Sequence, residues 1–395
     1  MTIFKRVFMI LILIWISGLA QEKEQVIVQK FSSPAEFNRS IPANSPLAKA
    51  KIYIYKEKID GDRTDVVFID EQGTEIKRIP TFWSYLGKQQ TIKIDYDYNE
   101  AFIITPKLIR GNKQEIIRGV KYYTTEVYDS TGLLLFSFQN NIFSLKRLNK
   151  KQYITYPVDI LNIGPIYIVD ERGQKIHDVK GIEIFTVVYP ENKSMSLLAN
   201  GDGQLVVLDS TGATLWTDKI DERIYYGFTM SNDGKICFVT RKSIFVLDQT
   251  GSIIQKIPYR ELDGWARARI SNNGKYVFWG HWSKRRRHTN PYRDCQLVLY
   301  DLHSNKISWK HLLTAENEKG WNPVDIGISQ DCQFYYAKFF LGDLILYNRM
   351  GNRIYHIEGK KYSQQVQLRI HFIDHKLFLH NMVTNSLQTV TVRGD

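Results

Sequence analysis

Cysteine is scarce in this 395-residue chain: Cys237, Cys295 and Cys332 are the whole supply. Three thiols allow at most one disulfide. That excludes a disulfide-stapled scaffold and leaves too few thiolates for an all-cysteine zinc site. The simplest expectation is small buried residues in strands or turns. Beyond residue 20, no apolar run approaches the roughly 20 residues that cross a bilayer. No nucleophile elbow, phosphate loop, dinucleotide fingerprint or paired-histidine metalloprotease motif occurs. The acidic residues fall mostly in turns, so no carboxylate pair stands out for glycoside chemistry. His371, His375 and His380 form an H-x3-H-x4-H string, but apart from Asp374 no cysteine or carboxylate cluster of ligand spacing accompanies it. Surface histidines are the expectation there. Asn200-Gly201-Asp202-Gly203 lacks the further ligands of a calcium loop and reads as a tight turn. No metal and no cofactor is expected.

The ends differ from the rest. Lys5 and Arg6 precede the apolar stretch VFMILILIWIS, and Gly18-Leu19-Ala20 follows as a small-x-small site. Residues 1–20 therefore read as a cleaved secretory signal, and the chain as periplasmic or secreted. No cysteine follows the site to carry a lipid. Residues 21–48 read as a polar linker or N-terminal arm, within which QVIVQKF is a candidate edge strand. Net charge is +12, or +10 once Lys5 and Arg6 are lost (12 − 2). A basic surface suggests acidic partners, an acidic protein face or an anionic glycan. Export argues against nucleic acid.

What fills the rest is a recurring phrase: hydrophobic strand, Asp, two residues, Gly, hydrophobic strand. It reads VVFIDEQGTEIKRI at Asp70, TEVYDSTGLLLFSF at Asp129, IYIVDERGQKIHDV at Asp170, LVVLDSTGATLWTD at Asp209 and IFVLDQTGSIIQKI at Asp248. Weaker copies stand at Asp301 and Asn348, and the steps are 59, 41, 39, 39, 53 and 47 residues. The Asp carboxylate accepts from the amide two residues on, and Gly supplies the positive φ that closes the turn. Each copy is thus a hairpin. A period of roughly 40 residues built only of strands is one β-propeller blade per repeat.

A second phrase lies between the hairpins: FTMSNDGKICFV at 228–239, ARISNNGKYVFW at 268–279 and GISQDCQFYYA at 327–337. It joins the first two strands of a blade, and the Asp-x-x-Gly turn joins the last two. With both phrases in hand, the chain resembles WD-repeat-like propellers, which carry a similar S-x-D-G-K turn. It also resembles pyrroloquinoline-quinone-type repeat propellers, whose D-x-x-T-G-x-x-x-W phrase is matched by Asp209 to Trp216 and in part around Trp309. The resemblance covers about residues 50–392 and implies a fold: an all-β propeller of four-stranded antiparallel blades in one domain, 49–395. Seven hairpins favour seven blades, and the extra C-terminal strands keep eight as the alternative. Both chain ends are expected to share one blade, since the first blade reads as lacking its innermost strand. No functional residue carries over.

One segment breaks the repeat. GHWSKRRRHTNPYRD, residues 280–294, is inserted between the second and third strands of the sixth repeat. Guanidinium groups bind carboxylates, sulfates and phosphates in bidentate fashion, and aromatic rings offer stacking faces. His281, Trp282, Lys284, Arg285, Arg286, Arg287, Tyr292 and Arg293 are therefore candidate binding residues. Blade geometry adds Trp265, Arg267 and Trp321 on the same face. The expected function is an exported binding or scaffold propeller recognising a protein or anionic polymer. The alternative is a propeller enzyme, either a quinone-dependent dehydrogenase or a polysaccharide-active hydrolase or lyase. A solvated loop carrying charge for solubility is the competing explanation of the insertion.

Overall fold

The turn at Asp209 shows how the sequence builds each blade. Asp209 Oδ1 accepts from the Thr211 amide at 2.7 Å, the Thr211 hydroxyl at 2.7 Å and the Ala213 amide at 3.0 Å. The Gly212 amide donates to the Asp209 carbonyl at 3.1 Å, and Gly212 sits at φ +86°. The pairing slips between Val207 and Leu208, the bulge that such a turn leaves behind. The same side-chain bond two residues on recurs at Asp70, Asp129, Asp170, Asp248, Asp301 and Asn348. At the sixth copy the left-handed position moves to Asn305, at φ 58°.

The computed structural model describes residues 25–41, 51–60, 63–82, 91–95, 100–108, 121–140, 143–149, 151–157, 166–179, 186–188, 190, 192, 194–200, 202–259, 265–282, 294–314, 321–340, 342–359, 368–373, 376–381 and 386–393. The proposed signal, residues 1–20, lies outside them. Among the described residues the strands form eight antiparallel sheets, seven of four strands and one of three. Each of the seven hairpins supplies two strands to one sheet. The eighth sheet has no such turn: Leu368–Ile373, Lys376–Asn381 and Ser386–Arg393 are followed at its edge by Gln25–Phe31 from the other end of the chain. The larger of the two blade counts thus applies to the sheets seen here. The ends do share a blade, but it is the last one. The first blade, Ile54–Asp60, Arg63–Ile69 and Glu75–Phe82, shows three strands.

Burial orders the strands within a blade. In the fifth blade Ile236–Thr240 and Ser243–Leu247 are buried throughout, whereas Ile253–Pro258 is mostly exposed and forms the outer edge. The first strands, Thr186–Val188, Ile224–Met230, Trp265–Ile270 and Pro323–Ile328, touch in sequence and make the inner wall. Between blades lie separate apolar clusters, such as Val246, Ile257, Ala268, Val277 and Val298 between the fifth and sixth.

The hairpin glycines lie on these seams. A Cβ on Gly173 would come within 2.8 Å of Phe136, on Gly212 within 2.6 Å of Ile168, on Gly251 within 3.4 Å of Trp216 and on Gly351 within 2.9 Å of Trp309. Each contact is with the preceding blade. Polar bonds lock the same seams: Trp216 Nε1 donates to the Gln249 carbonyl at 2.8 Å, His177 Nε2 to the Gly212 carbonyl at 3.1 Å and His311 Nε2 to the Gly351 carbonyl at 2.7 Å. Lys77 donates to the Gly132 carbonyl in the same way.

All three cysteines are free and buried. Cys237 and Cys295 stand in strands. Cys332, at φ 60°, occupies the turn position that Gly234 and Gly274 hold in the neighbouring blades. His380 is 4% exposed, which corrects the expectation of surface histidines at that position: it lies in the middle strand Lys376–Asn381, flanked by pairing on both sides. His375 lies outside the described residues. Asn200 makes the bonds of the expected turn, its Oδ1 accepting from the Asp202 and Gln204 amides at 3.0 and 2.9 Å; Gly201 lies outside the described residues. No helix among the described residues is long and apolar enough to cross a membrane.

Candidate functional site

Pairing in the sixth blade fixes the root of the insertion. Trp265 pairs with Trp282, Trp282 with Cys295 and Cys295 with Leu313, so four strand ends form one row at one face. The inserted segment leaves this row after Trp282. Residues 283–293 lie outside the described residues, and with them Lys284, Arg285, Arg286, Arg287, Tyr292 and Arg293.

Trp282 is 9% exposed and packs with Phe278, Leu297, Ile326 and Phe339, with Trp321 against the same cluster. His281 is 1% exposed, and its ring lies 5.6 Å from that of Tyr259. Neither offers the open stacking face expected of it. Their strand is a middle strand covered by blades on both sides, so they anchor the loop. Sequence periodicity alone does not separate such an anchor from an exposed platform.

Trp321 reaches the same face by another route. It stands just before the inner strand Pro323–Ile328, meets Phe339 edge-on at 5.0 Å and donates through Nε1 to the Thr314 carbonyl at 2.9 Å. It therefore staples the connection between the sixth and seventh blades. Arg267 is half-buried, two residues beyond Trp265 on the inner strand, opposite Gly280. The structure thus brings Trp265, Arg267, Trp282 and Trp321 to the strand ends of two adjoining blades, as blade geometry predicts.

Two further features were missed in the sequence. On the opposite face, the first turns of the blades are stitched together. Asn192 Nδ2 donates to the Asn232 carbonyl at 2.9 Å, and the Asn232 amide donates to the Asn272 carbonyl at 2.7 Å. Asn232, Asp233, Asn272, Asn273 and Gln330 border an open depression of about 530 Å³ there. The recurring Ser-Asn signal was visible, but its lateral bonding was not. Inside the ring, Asp325 Oδ2 accepts from the Tyr336 hydroxyl at 2.8 Å, and Asp325 Oδ1 accepts from Arg269 Nη2 at 3.3 Å across the seam. Among the described residues no group of three or more His, Cys, Asp or Glu is arranged to hold a metal ion.

Eight radial antiparallel sheets, hairpin turns docked on the preceding blade and closure by both chain ends define a β-propeller. At the level of fold it resembles WD40 domains and BamB. BamB from Moraxella catarrhalis matches with a TM-score of 0.53 at 14% identity, over 92% of this chain and all of that one (100%). The C-terminal WD40 domain of Sif2 matches with a TM-score of 0.53 at 14% identity, over 86% of this chain and 92% of that one. The computationally designed protein Ika8 gives 0.54 at 13% identity, over 86% of this chain and 93% of that one. No protein-family profile matches the chain, and no curated protein does.

Proposed function

We propose that the chain is an exported binding or scaffold propeller. It docks a protein or anionic polymer on the face that carries the sixth-blade insertion. Residues 1–20 are its signal, and its propeller domain takes in 49–395 together with the edge strand Gln25–Phe31 of the preceding arm. The observation that carries this reading is the root of the insertion. Five cationic residues, Lys284, Arg285, Arg286, Arg287 and Arg293, are added between two fully paired strands. Their attachment points, Trp282 and Cys295, are buried at the core of the seam. In the fifth blade the same two strands are joined between Thr240 and Ser243. The insertion is therefore extra to the repeat, and its charge is presented from a rigid base.

The test is retention of the purified mature chain on heparin-like and carboxylated polymers. Replacing Arg285, Arg286 and Arg287 together by Ser should weaken retention and leave stability within about 0.5 kcal/mol, as for ordinary surface changes. Wild-type retention should fade as salt rises. Equal retention of the triple variant and the wild type refutes the proposal. Envelope proteins co-purifying with the tagged mature chain would then name the partner, and intact mass would show cleavage after Ala20.

A further inference from the structure

The outer strand of the second blade differs from those of the other sheets. Leu134–Asn140 ends its sheet: among the described residues it pairs with Lys121–Tyr128 on one side and with no strand on the other. Such an edge presents a row of main-chain donors and acceptors, which proteins guard with Lys, Pro or short length. The guards are in place elsewhere. Glu75–Phe82 carries Lys77, Arg78 and Pro80, Thr214–Lys219 carries Lys219, and Ile253–Pro258 carries Lys256 and Pro258. Lys175–Val179, Lys306–Leu313, Arg353–Ile357 and Gln25–Phe31 each hold at least one Lys or Arg. Leu134–Asn140 reads LLFSFQN, with no charge and no proline. The residues leading into it are apolar as well. Four and five places after the hairpin Asp stand Thr74 and Glu75 in the first blade and Gln174 and Lys175 in the third, but Leu133 and Leu134 in the second. Leu133, Leu134 and Leu135 keep 63%, 43% and 40% of their surface accessible, three adjacent leucines in water. Phe136 and Phe138 turn into the seam with the third blade, so Leu135 and Ser137 share the open side of the strand.

We propose that this edge pairs, antiparallel and across a two-fold axis, with the same strand of a second copy of the chain. Charge selects the partner. The chain without Lys5 and Arg6 is net +10 (12 − 2), so two copies repel. Pairing at any other outer edge among the described residues carries at least one cation into the interface, and the second-blade edge carries none. A partner strand laid on three leucines must itself bring no unpaired charge. The second copy's own strand meets that condition, and a two-fold axis lets one patch serve both sides. With the axis at Ser137, the middle of Leu134–Asn140, each Ser137 meets its counterpart, and the leucines of each copy cover the far end of the other strand. This goes beyond the function proposed above and does not depend on it: the sixth blade, which carries the insertion, lies four blades away in the ring of eight sheets.

The experiment is sedimentation velocity of the mature chain over about a hundredfold range of concentration, where mass action separates monomer from dimer. A concentration-dependent dimer is expected. Leu135→Lys should weaken it about tenfold or more, because it sets a cation on the pairing edge. Leu215→Lys is the control: Leu215 holds the same place on the fourth blade, six residues after the hairpin Asp, and is 52% exposed. It adds the same charge to the chain and should leave the dimer within about twofold, as an ordinary surface change does. A short bifunctional thiol reagent should link Ser137→Cys into a covalent dimer and leave Thr217→Cys, exposed on the fourth blade's outer strand, unlinked; the three native thiols are buried. A monomer at every concentration overturns the proposal. So does a dimer that Leu135→Lys leaves intact, or one that Leu215→Lys weakens equally. If Leu135→Lys fails to fold, the wild-type sedimentation and the Ser137→Cys link decide, and the absence of either overturns it.

Discussion

Gly212 should be among the least replaceable residues of the fourth blade, and the cost of changing it can be worked out in two parts. Its φ of +86° is left-handed, which any residue with a Cβ resists by about 1–2 kcal/mol. Its Cβ position is also occupied: Ile168 Cδ1 would be 2.6 Å away, Gln152 Oε1 3.4 Å and Leu148 Cδ2 3.5 Å. Forcing a branched side chain into that seam adds about 1–3 kcal/mol of overpacking. Gly212→Val should therefore cost about 2–5 kcal/mol. Gly251, at φ +91°, offers a comparison, because its nearest neighbour, Trp216, would stand at 3.4 Å from a Cβ, an ordinary contact. Gly251→Ala should cost little beyond the backbone part, and Gly212→Ala more. Gly212→Asn relieves part of the backbone cost, because Asn visits the left-handed region, and should fall below Gly212→Val. Urea unfolding followed by tryptophan fluorescence reads all four. Unchanged midpoints for both Gly212→Val and Gly251→Ala would refute the turn assignment. Equal losses for Gly212→Ala and Gly251→Ala would refute the packing part alone.

Trp216→Phe should cost about 1 kcal/mol through the lost bond to Gln249, and Trp216→Ala a further 1–3 kcal/mol for lost packing on Gly251, both read from urea midpoints. Asp209 is held below the ordinary carboxylate range, first by the Thr211 hydroxyl and then by the turn amides. That contribution is complete above the unfolded value of about 3.9 and is lost as pH falls through the lower folded value, so Asp209→Asn should flatten the stability profile below about pH 4. Near pH 7 the change should be small, because Asn348 already makes the same turn bonds with an amide, to Met350 and Asn352 at 3.0 and 2.8 Å. Asn38→Ala should cost about 2–4 kcal/mol by denaturant titration, because the Asn38 side chain meets both the Ile52 carbonyl (2.8 Å) and the Ile52 amide (2.9 Å) in a buried setting.

The hairpins were legible because each is local. Asp, Gly and the flanking apolar runs lie within about a dozen residues, and turn chemistry acts over that span. The seams were not legible. The phrase that ends in Trp216 is matched in full only once, and the other hairpins show no common residue in its place. The position seven residues after the Asp instead takes Lys77, Phe136 or His177 in other blades, and each covers the next blade's glycine or bonds its carbonyl. Coverage is required, and the side chain is free to vary. Arg269, Asp325 and Tyr336 could not be linked from the sequence. Their meeting depends on cross-seam register, and a one-residue slip would turn each to the other face. The eighth sheet escaped a hairpin count because it lacks the turn.

The seam rule also explains why the N-terminal arm is part of the ring. Each hairpin glycine needs something from the preceding blade to lie against. For the first blade that neighbour is the eighth, whose outer strand is Gln25–Phe31, paired residue for residue with Leu387 to Arg393. The chain leaves this strand through Ser32 into the short helix Pro34–Ser40, capped by Ser33 and by Glu36 bonding back to the Ser32 amide at 2.7 Å. A Cβ on Gly73 would meet the Ala35 backbone at 2.5 Å. The helix therefore fills, at the closing seam, the place that Trp216 or Phe136 fills at others. Phe37, buried between Phe31 and Phe378, fixes it there. Unlike the other seams, this one is covered by backbone that cannot move aside. Closure of the ring thus depends on residues 25–41 as directly as on any blade, although nothing in the repeat identifies them.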